Sequence, residues 1–194
     1  MPPASLSEPQ PIVVFVLGFQ SSHPLGRLGP GLKDLGQYFM GIIKEAEDNK
    51  TTSGYLGTSG PMLTMDGTTS NALVTITYWR SLEELAAFSK QGVHAKTMRW
   101  FNENRARYPH IGKLLLYEKR RRRLIGTGIM HETYNCPAGQ HENIYNNFRP
   151  FGQVNTTWEV DNEMGEKEIM KAEPVREGQG LPSMMSRMSR GEKS

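Results

Sequence analysis

The chain has 194 residues, enough for one domain of ordinary size with a tail or two. Its hydrophobic content of 37% is low for a chain packed from end to end, and its single cysteine, Cys136, excludes an intramolecular disulfide or a CxxC metal site. The net charge of +3 comes from one run of five cations, Lys119 to Arg123; without it the total is negative, which excludes a basic surface suited to nucleic acid.

In chain order, residues 1–11 carry four prolines and little to bury, and read as a flexible leader. Ile12 to Leu17 (IVVFVL) is apolar at every position, as expected of a central strand covered on both faces. It is too short to span a membrane and follows no cationic segment, so it does not read as a signal peptide. A soluble, cytoplasmic protein with no membrane span is the expectation. The Gly- and Pro-rich stretch from Gly18 to Gly31 reads as a loop. Leu32 to Asp48 reads as a helix, with Leu32, Leu35, Phe39, Ile42, Ile43 and Ala46 on one stripe. Gly54 to Met65 is a weak, glycine-broken strand, followed by the turn dipeptide Asp66-Gly67. Leu73 to Trp79 (LVTITYW) is a strong strand. One of its faces carries Leu73, Thr75, Thr77 and Trp79, a mixture expected where a strand lines a cavity.

Ser81-Leu-Glu-Glu84 is a capping box that starts a long helix, which Gly92 bends or breaks and Pro109 ends. Lys113 to Arg123 reads as a further helix with its cations in water. The segment richest in chemistry is Gly126 to Gly152, GTGIMHETYNCPAGQHENIYNNFRPFG. Ile129 to Tyr134 suits a strand, which puts Ile129, His131 and Thr133 on one face and Met130, Glu132 and Tyr134 on the other. His131 and Glu132 therefore line one pocket only if a bulge re-aims one of them. Cys136, with no nucleophile signature around it, reads as a strand-end bystander. A short strand through Val154 to Val160 closes the domain, taken as residues 12–160, and residues 161–194 read as a mostly disordered tail.

The order strand, helix, strand, strand, helix, strand is the split βαβ, ferredoxin-like pattern of an α+β protein: a four-stranded antiparallel sheet with helices on one face. The doubly apolar first strand requires cover on the other face too. A second copy supplies it most simply, as a two-fold homodimer.

At YWRSLEEL (Tyr78 to Leu85), His94, MRWFN (Met98 to Asn102), GIMHETY (Gly128 to Tyr134) and ENIYNNFRPFG (Glu142 to Gly152) the sequence resembles the fumagillin-pathway monooxygenase-like family. Gly18-Phe19 and GYLG (Gly54 to Gly57) add to the likeness, which runs from about Val13 to Gly152. That group is found largely in fungi and bacteria. It belongs to the dimeric α+β barrel superfamily with the antibiotic-biosynthesis monooxygenases. The resemblance implies that barrel fold and an oxidative reaction, and it makes residues 108–124 an insertion before the last strand.

Three residues stand as catalytic candidates. His131 as a neutral imidazole can take a proton from an acidic C–H or phenol, whose carbanion then reacts with O2. It reads equally as a haem ligand or as a buried histidine bonded to a carbonyl. Glu132 can orient a histidine or act as base, or pair with Arg80 or Arg149. His94 reaches the pocket if its helix closes over the sheet. Trp79, Trp100, Phe101, Tyr134 and Tyr145 form an aromatic lining or plain core, with Arg80 beside it. Asn143 can donate to a developing enolate oxygen, or serve as a turn residue. The pairs His131/Glu132 and His141/Glu142 match no metal motif, and no GxGxxG turn or P-loop is present. Two cofactor options remain: none, with His131 as base, or haem on His131 or His94. The cofactor-free route asks for less and is placed first. The function expected is a small oxygenase tailoring an apolar, conjugated or aromatic secondary metabolite. An isomerase, cyclase or dehydratase using the same pocket, or a ligand-binding barrel, is the alternative.

Overall fold

The computed structural model describes residues 10–21, 31–64, 72–104, 127–138, 149, 151–162 and 164–172. Strands β1 (Ile12–Ser21), β2 (Tyr55–Thr64), β3 (Ala72–Trp79) and β4 (Thr127–Cys136) make one antiparallel sheet in the order β2-β3-β1-β4. This is the ferredoxin-like order, with β1 central as its two apolar faces require. The pleat sends Val13, Phe15, Leu17 and Phe19 to one side. Their register partners Trp79, Thr77, Thr75 and Leu73 on β3 point the same way.

That side is covered by helices α1 (Leu32–Asp48), α3 (Leu82–Ser89) and α4 (Gly92–Asn104), with the single turn α2 (Lys50–Ser53) between α1 and β2. The apolar stripe of α1 is the buried one: Leu32, Leu35, Phe39, Ile42 and Ala46. Val13, Tyr55, Trp79, Leu85 and Phe88 join Ile42 and Ala46 in one cluster, while Phe19 and Phe101 join the first turns of α1 in another. The capping box forms as the sequence predicts: the Glu84 amide donates to Ser81 Oγ at 3.1 Å. The expected long helix is two. Gly92 takes a left-handed φ of 59°, and a Cβ there would lie 2.2 Å from the Glu45 carboxylate. That carboxylate instead accepts from the Val93 amide at 2.7 Å, capping α4 from a neighbouring helix.

The opposite side of the sheet differs from expectation. After a 3-10 turn at Gly152–Asn155, strands β5 (Thr157–Asp161) and β6 (Lys167–Lys171) form a hairpin. Val154 thus lies in the turn rather than in the strand expected from that residue. β6 lies beyond residue 160, where the domain was expected to end. The hairpin sets Trp158, Val160 and Ala172 against Ile12, Leu56 and Tyr78. Tight approach fixes the turn: Gly152 has φ 68°, and a Cβ there would lie 2.7 Å from Tyr78 Oη. Only one end of this face is covered by the hairpin. Towards the other end, Val16 and Ile76 are half-buried, and Met130 and Tyr134 are 41% and 51% exposed.

The expected insertion at 108–124, the basic run within it, the helix expected at Lys113 to Arg123, and His141, Asn143 and Tyr145 lie outside the described residues.

Candidate functional site

The hydroxyl-bearing face of β3 lines a cavity. Phe15, Leu17, Thr77 and Trp79 form its floor on the sheet, and Ile42, Ala46, Leu85 and Phe88 its roof on α1 and α3. Its volume is about 30 Å³ and its wall is almost wholly apolar. His94 closes one side from the first turn of α4. Its Nδ1 lies 2.6 Å from the Ser89 carbonyl oxygen, which can only accept, so Nδ1 carries the proton and Nε2 keeps the lone pair. The break between α3 and α4 creates this arrangement: Ser89 ends one helix and His94 begins the next. A continuous helix would have placed the pair five residues apart on different faces.

β4 is an edge strand with a regular register to β1, so no bulge re-aims its side chains. His131 stands opposite Leu17, on the helix side, and its ring lies 5.4 Å from that of Phe15. It is exposed and separated from the cavity by the Phe15 ring. Glu132 stands opposite Val16 on the other side of the sheet, so the two neighbours do not share a pocket. Nor does Glu132 pair with Arg80: Arg80 donates to Glu84 Oε1 at 2.7 Å, while Glu132 accepts a short hydrogen bond from the Tyr134 hydroxyl. That bond to a carboxylate raises the Tyr134 phenol above its ordinary pKa.

Of the aromatic candidates, Trp79 lines the cavity, and its Nε1 donates to Thr77 Oγ1 at 3.0 Å. Phe101 is buried in the cluster at the far end of the helix layer. Trp100 packs against that cluster and against Tyr38, with ring centroids 4.9 Å apart. Tyr134 is on the opposite face. The expected single aromatic lining is therefore divided among three places. The aromatic cavity residues not picked out from sequence are Phe15, Tyr55 and Phe88. Tyr55 sits 1% exposed against Trp79, and its hydroxyl has no hydrogen-bond partner among the described residues. Burial pushes this phenol far above its ordinary range. Its signal in the sequence was the GYLG segment, which marked a place without indicating which side chain mattered.

Among the described residues no three of His, Cys, Asp and Glu converge as a metal site, and no helix is long and apolar enough to cross a membrane. A family model described as monooxygenase af470-like matches residues 12–153. Monooxygenase af470 of Aspergillus fumigatus is 24% identical over 183 residues, 92% of this chain and 58% of the relative, so the chain spans less than two thirds of that relative's length. No solved structure matches. The family match takes in the whole four-stranded sheet and its helix layer, hence every wall of the cavity, and stops short of the β5–β6 hairpin: the chain belongs to the monooxygenase af470-like family.

Proposed function

We infer that this chain is a monooxygenase acting on an apolar, conjugated or aromatic small molecule of the secondary-metabolite type, in the cleft between the sheet and helices α1 and α3. The observation that carries this reading is the apolar cavity flanked by one imidazole whose Nδ1 is already committed to Ser89, leaving Nε2 as the base. Family membership supports the oxidative class.

Nε2 of His94 takes a proton from a C–H made acidic by the flanking conjugated system. The carbanion donates electrons to O2, a C–O bond forms, and the O–O bond breaks. One oxygen stays as a carbonyl and the other leaves as water, so that a substrate methylene and O2 give a ketone and one water. Both electron pairs come from the substrate and O2 is the oxidant, so the balance needs no external reductant.

Ligand pockets for such molecules hold roughly 300–1,000 Å³, so binding a substrate there requires the roof on α1 and α3 to part from the sheet. No step is assigned to haem. The base-only route remains the proposal for the cofactor. The half-covered end of the second sheet face, with Met130 and Tyr134 exposed on it, supports pairing with a second copy. Sedimentation at micromolar concentration is expected to give a dimer; a stable, folded monomer overturns this.

The test of the reaction is oxygen uptake with anthrone- and naphthol-type probes, followed by labelling with heavy-isotope dioxygen. One labelled oxygen in the product and one in water is the expected result. Equal turnover under strict anaerobiosis moves the protein to the isomerase, cyclase or dehydratase class.

A further inference from the structure

We propose that Tyr55 is the oxygen-binding residue of the substrate site: its hydroxyl donates to a carbonyl oxygen of the substrate, which makes the substrate class an enolisable ketone conjugated to an apolar ring system. The proposal rests on the oxygenase reading above and narrows it.

The observation that carries it is a buried hydroxyl with nothing to bond. Tyr55 is 1% exposed and lines the cavity, and its Oη has no hydrogen-bond partner among the described residues. Buried polar atoms are nearly always paired, and an exception in a cavity wall calls for a partner from outside the chain. A phenylalanine would give the same edge-on contact with Trp79, whose ring centroid lies 5.2 Å away, so packing does not account for the hydroxyl. The neighbouring hydroxyls are committed elsewhere. Thr58 Oγ1 accepts from the Gly60 amide at 3.1 Å, and lies 3.1 Å from the Ile76 carbonyl oxygen and 2.9 Å from Thr75 Oγ1. Thr77 Oγ1 donates to the Phe15 carbonyl at 3.2 Å and accepts from Trp79 Nε1 at 3.0 Å. Ser89 Oγ donates to the Ala86 carbonyl at 2.9 Å.

The wall then presents two polar atoms of opposite kinds. Tyr55 Oη offers a proton, and His94 Nε2 offers a lone pair, since Nδ1 donates to the Ser89 carbonyl. A single water uses both. A ketone with an acidic C–H in conjugation with its carbonyl divides them: the hydrogen meets Nε2 and the oxygen meets Oη. When the C–H bond breaks, the proton goes to Nε2 and the electron pair spreads onto the carbonyl oxygen as an enolate. The Tyr55 hydrogen bond strengthens as charge grows on that oxygen, which is where a donor in a water-poor wall contributes most. Tyr55 keeps its own proton throughout, because burial pushes this phenol far above its ordinary range. It stands on β2, so it stays with the sheet when the roof on α1 and α3 parts.

Tyr55→Phe is the test, made in the full chain and assayed by oxygen uptake with anthrone as the probe. It is expected to lower kcat about 10²- to 10³-fold, with at most a severalfold rise in KM. Its Tm is expected to be unchanged or higher, because the substitution removes a buried hydroxyl that the fold leaves unpaired. Binding is read separately with anthraquinone, a ketone with no acidic C–H, and anthracene, the hydrocarbon of the same ring system. The parent is expected to bind anthraquinone severalfold tighter than anthracene and to lower its carbonyl stretch in infrared difference spectra. Tyr55→Phe is expected to lose both effects. In a parent that takes up oxygen, a clear fall in Tm on Tyr55→Phe, full kcat in that variant, or an unshifted carbonyl band in the parent complex overturns the proposal and leaves the oxygenase reading standing. A Tyr55-dependent carbonyl shift in a parent that takes up no oxygen with any probe overturns the oxygenase reading and leaves the ketone site standing.

Discussion

Two places in the molecule use the same device, a tryptophan whose indole N–H donates to the threonine two residues earlier: Trp79 to Thr77 at 3.0 Å and Trp158 to Thr156 at 3.1 Å. Both pairs are buried. The difference lies in what each threonine does next. Thr77 donates across the sheet to the carbonyl of Phe15 on β1, while Thr156 donates locally to Gln153 in the turn before its own strand. The first pair ties together two strands under a layer of helices, where cylinders on a twisted sheet leave a gap. The second ties a turn to a hairpin that lies flat on the sheet against Ile12, Leu56 and Tyr78. One device therefore borders a cavity and the proposed base, and the other seals a corner of core. The bond is common to both, so the covering layer is what separates a site from a scaffold.

The sharpest way to break this contrast is to remove the base. His94→Gln is expected to lower turnover about 10²- to 10⁴-fold, with the fold retained by circular dichroism. His131→Gln, one ring further out, is expected to cost less than about tenfold on the same scale. The reverse ranking in an oxygen-uptake assay would move the chemistry to the edge strand. Next in size is the scaffold side. Trp158→Ala removes the largest side chain of the hairpin corner and should destabilise the fold by roughly 3–5 kcal/mol in urea denaturation. Oxygen uptake per folded molecule should stay near the parent value.

The two threonines sharpen the comparison directly. Thr77→Val and Thr156→Val each keep the shape and strand an indole N–H, at roughly 1–3 kcal/mol. Only Thr77→Val is expected to change turnover as well, because it alone touches the cavity. The smallest effect belongs to the surface of the hairpin. Lys167 donates a short hydrogen bond to Glu159, which lowers the carboxyl below its ordinary 4.5 and raises the ammonium above its ordinary 10.5. Stability from the depressed carboxyl is present above pH 4.5 and is lost as pH falls through its lowered pKa. The contribution of the raised ammonium is present below 10.5 and is lost as pH rises past its folded pKa. Lys167→Met is expected to flatten that acid and alkaline dependence of Tm, with little change at neutral pH and less still at high salt.

Periodicity alone determined much of this protein. The apolar run at Ile12 to Leu17 meant a strand buried on both faces, and β1 is central; the stripe from Leu32 to Ala46 meant a helix laid on it; alternation along LVTITYW and GIMHETY assigned the faces of β3 and β4. These follow because a strand repeats every two residues and a helix every 3.6, whatever surrounds them. Cover and convergence are different quantities. That residues beyond Asp161 would pair as β6 has no apolar stripe to announce it, since β6 is exposed at most positions and is ordered by its backbone bonds to β5. The sequence favours His131 over His94 because it places His131 on a strand beside a cavity. His131 does stand on a strand, but it meets Phe15, whose ring lines the cavity that His131 itself does not. His94 acquires its tautomer from the carbonyl of Ser89, which meets it only because Gly92 breaks the helix and Glu45, 48 residues before Val93, caps α4. Such contacts join positions far apart in the chain, and only the packed tertiary structure brings them within hydrogen-bonding distance.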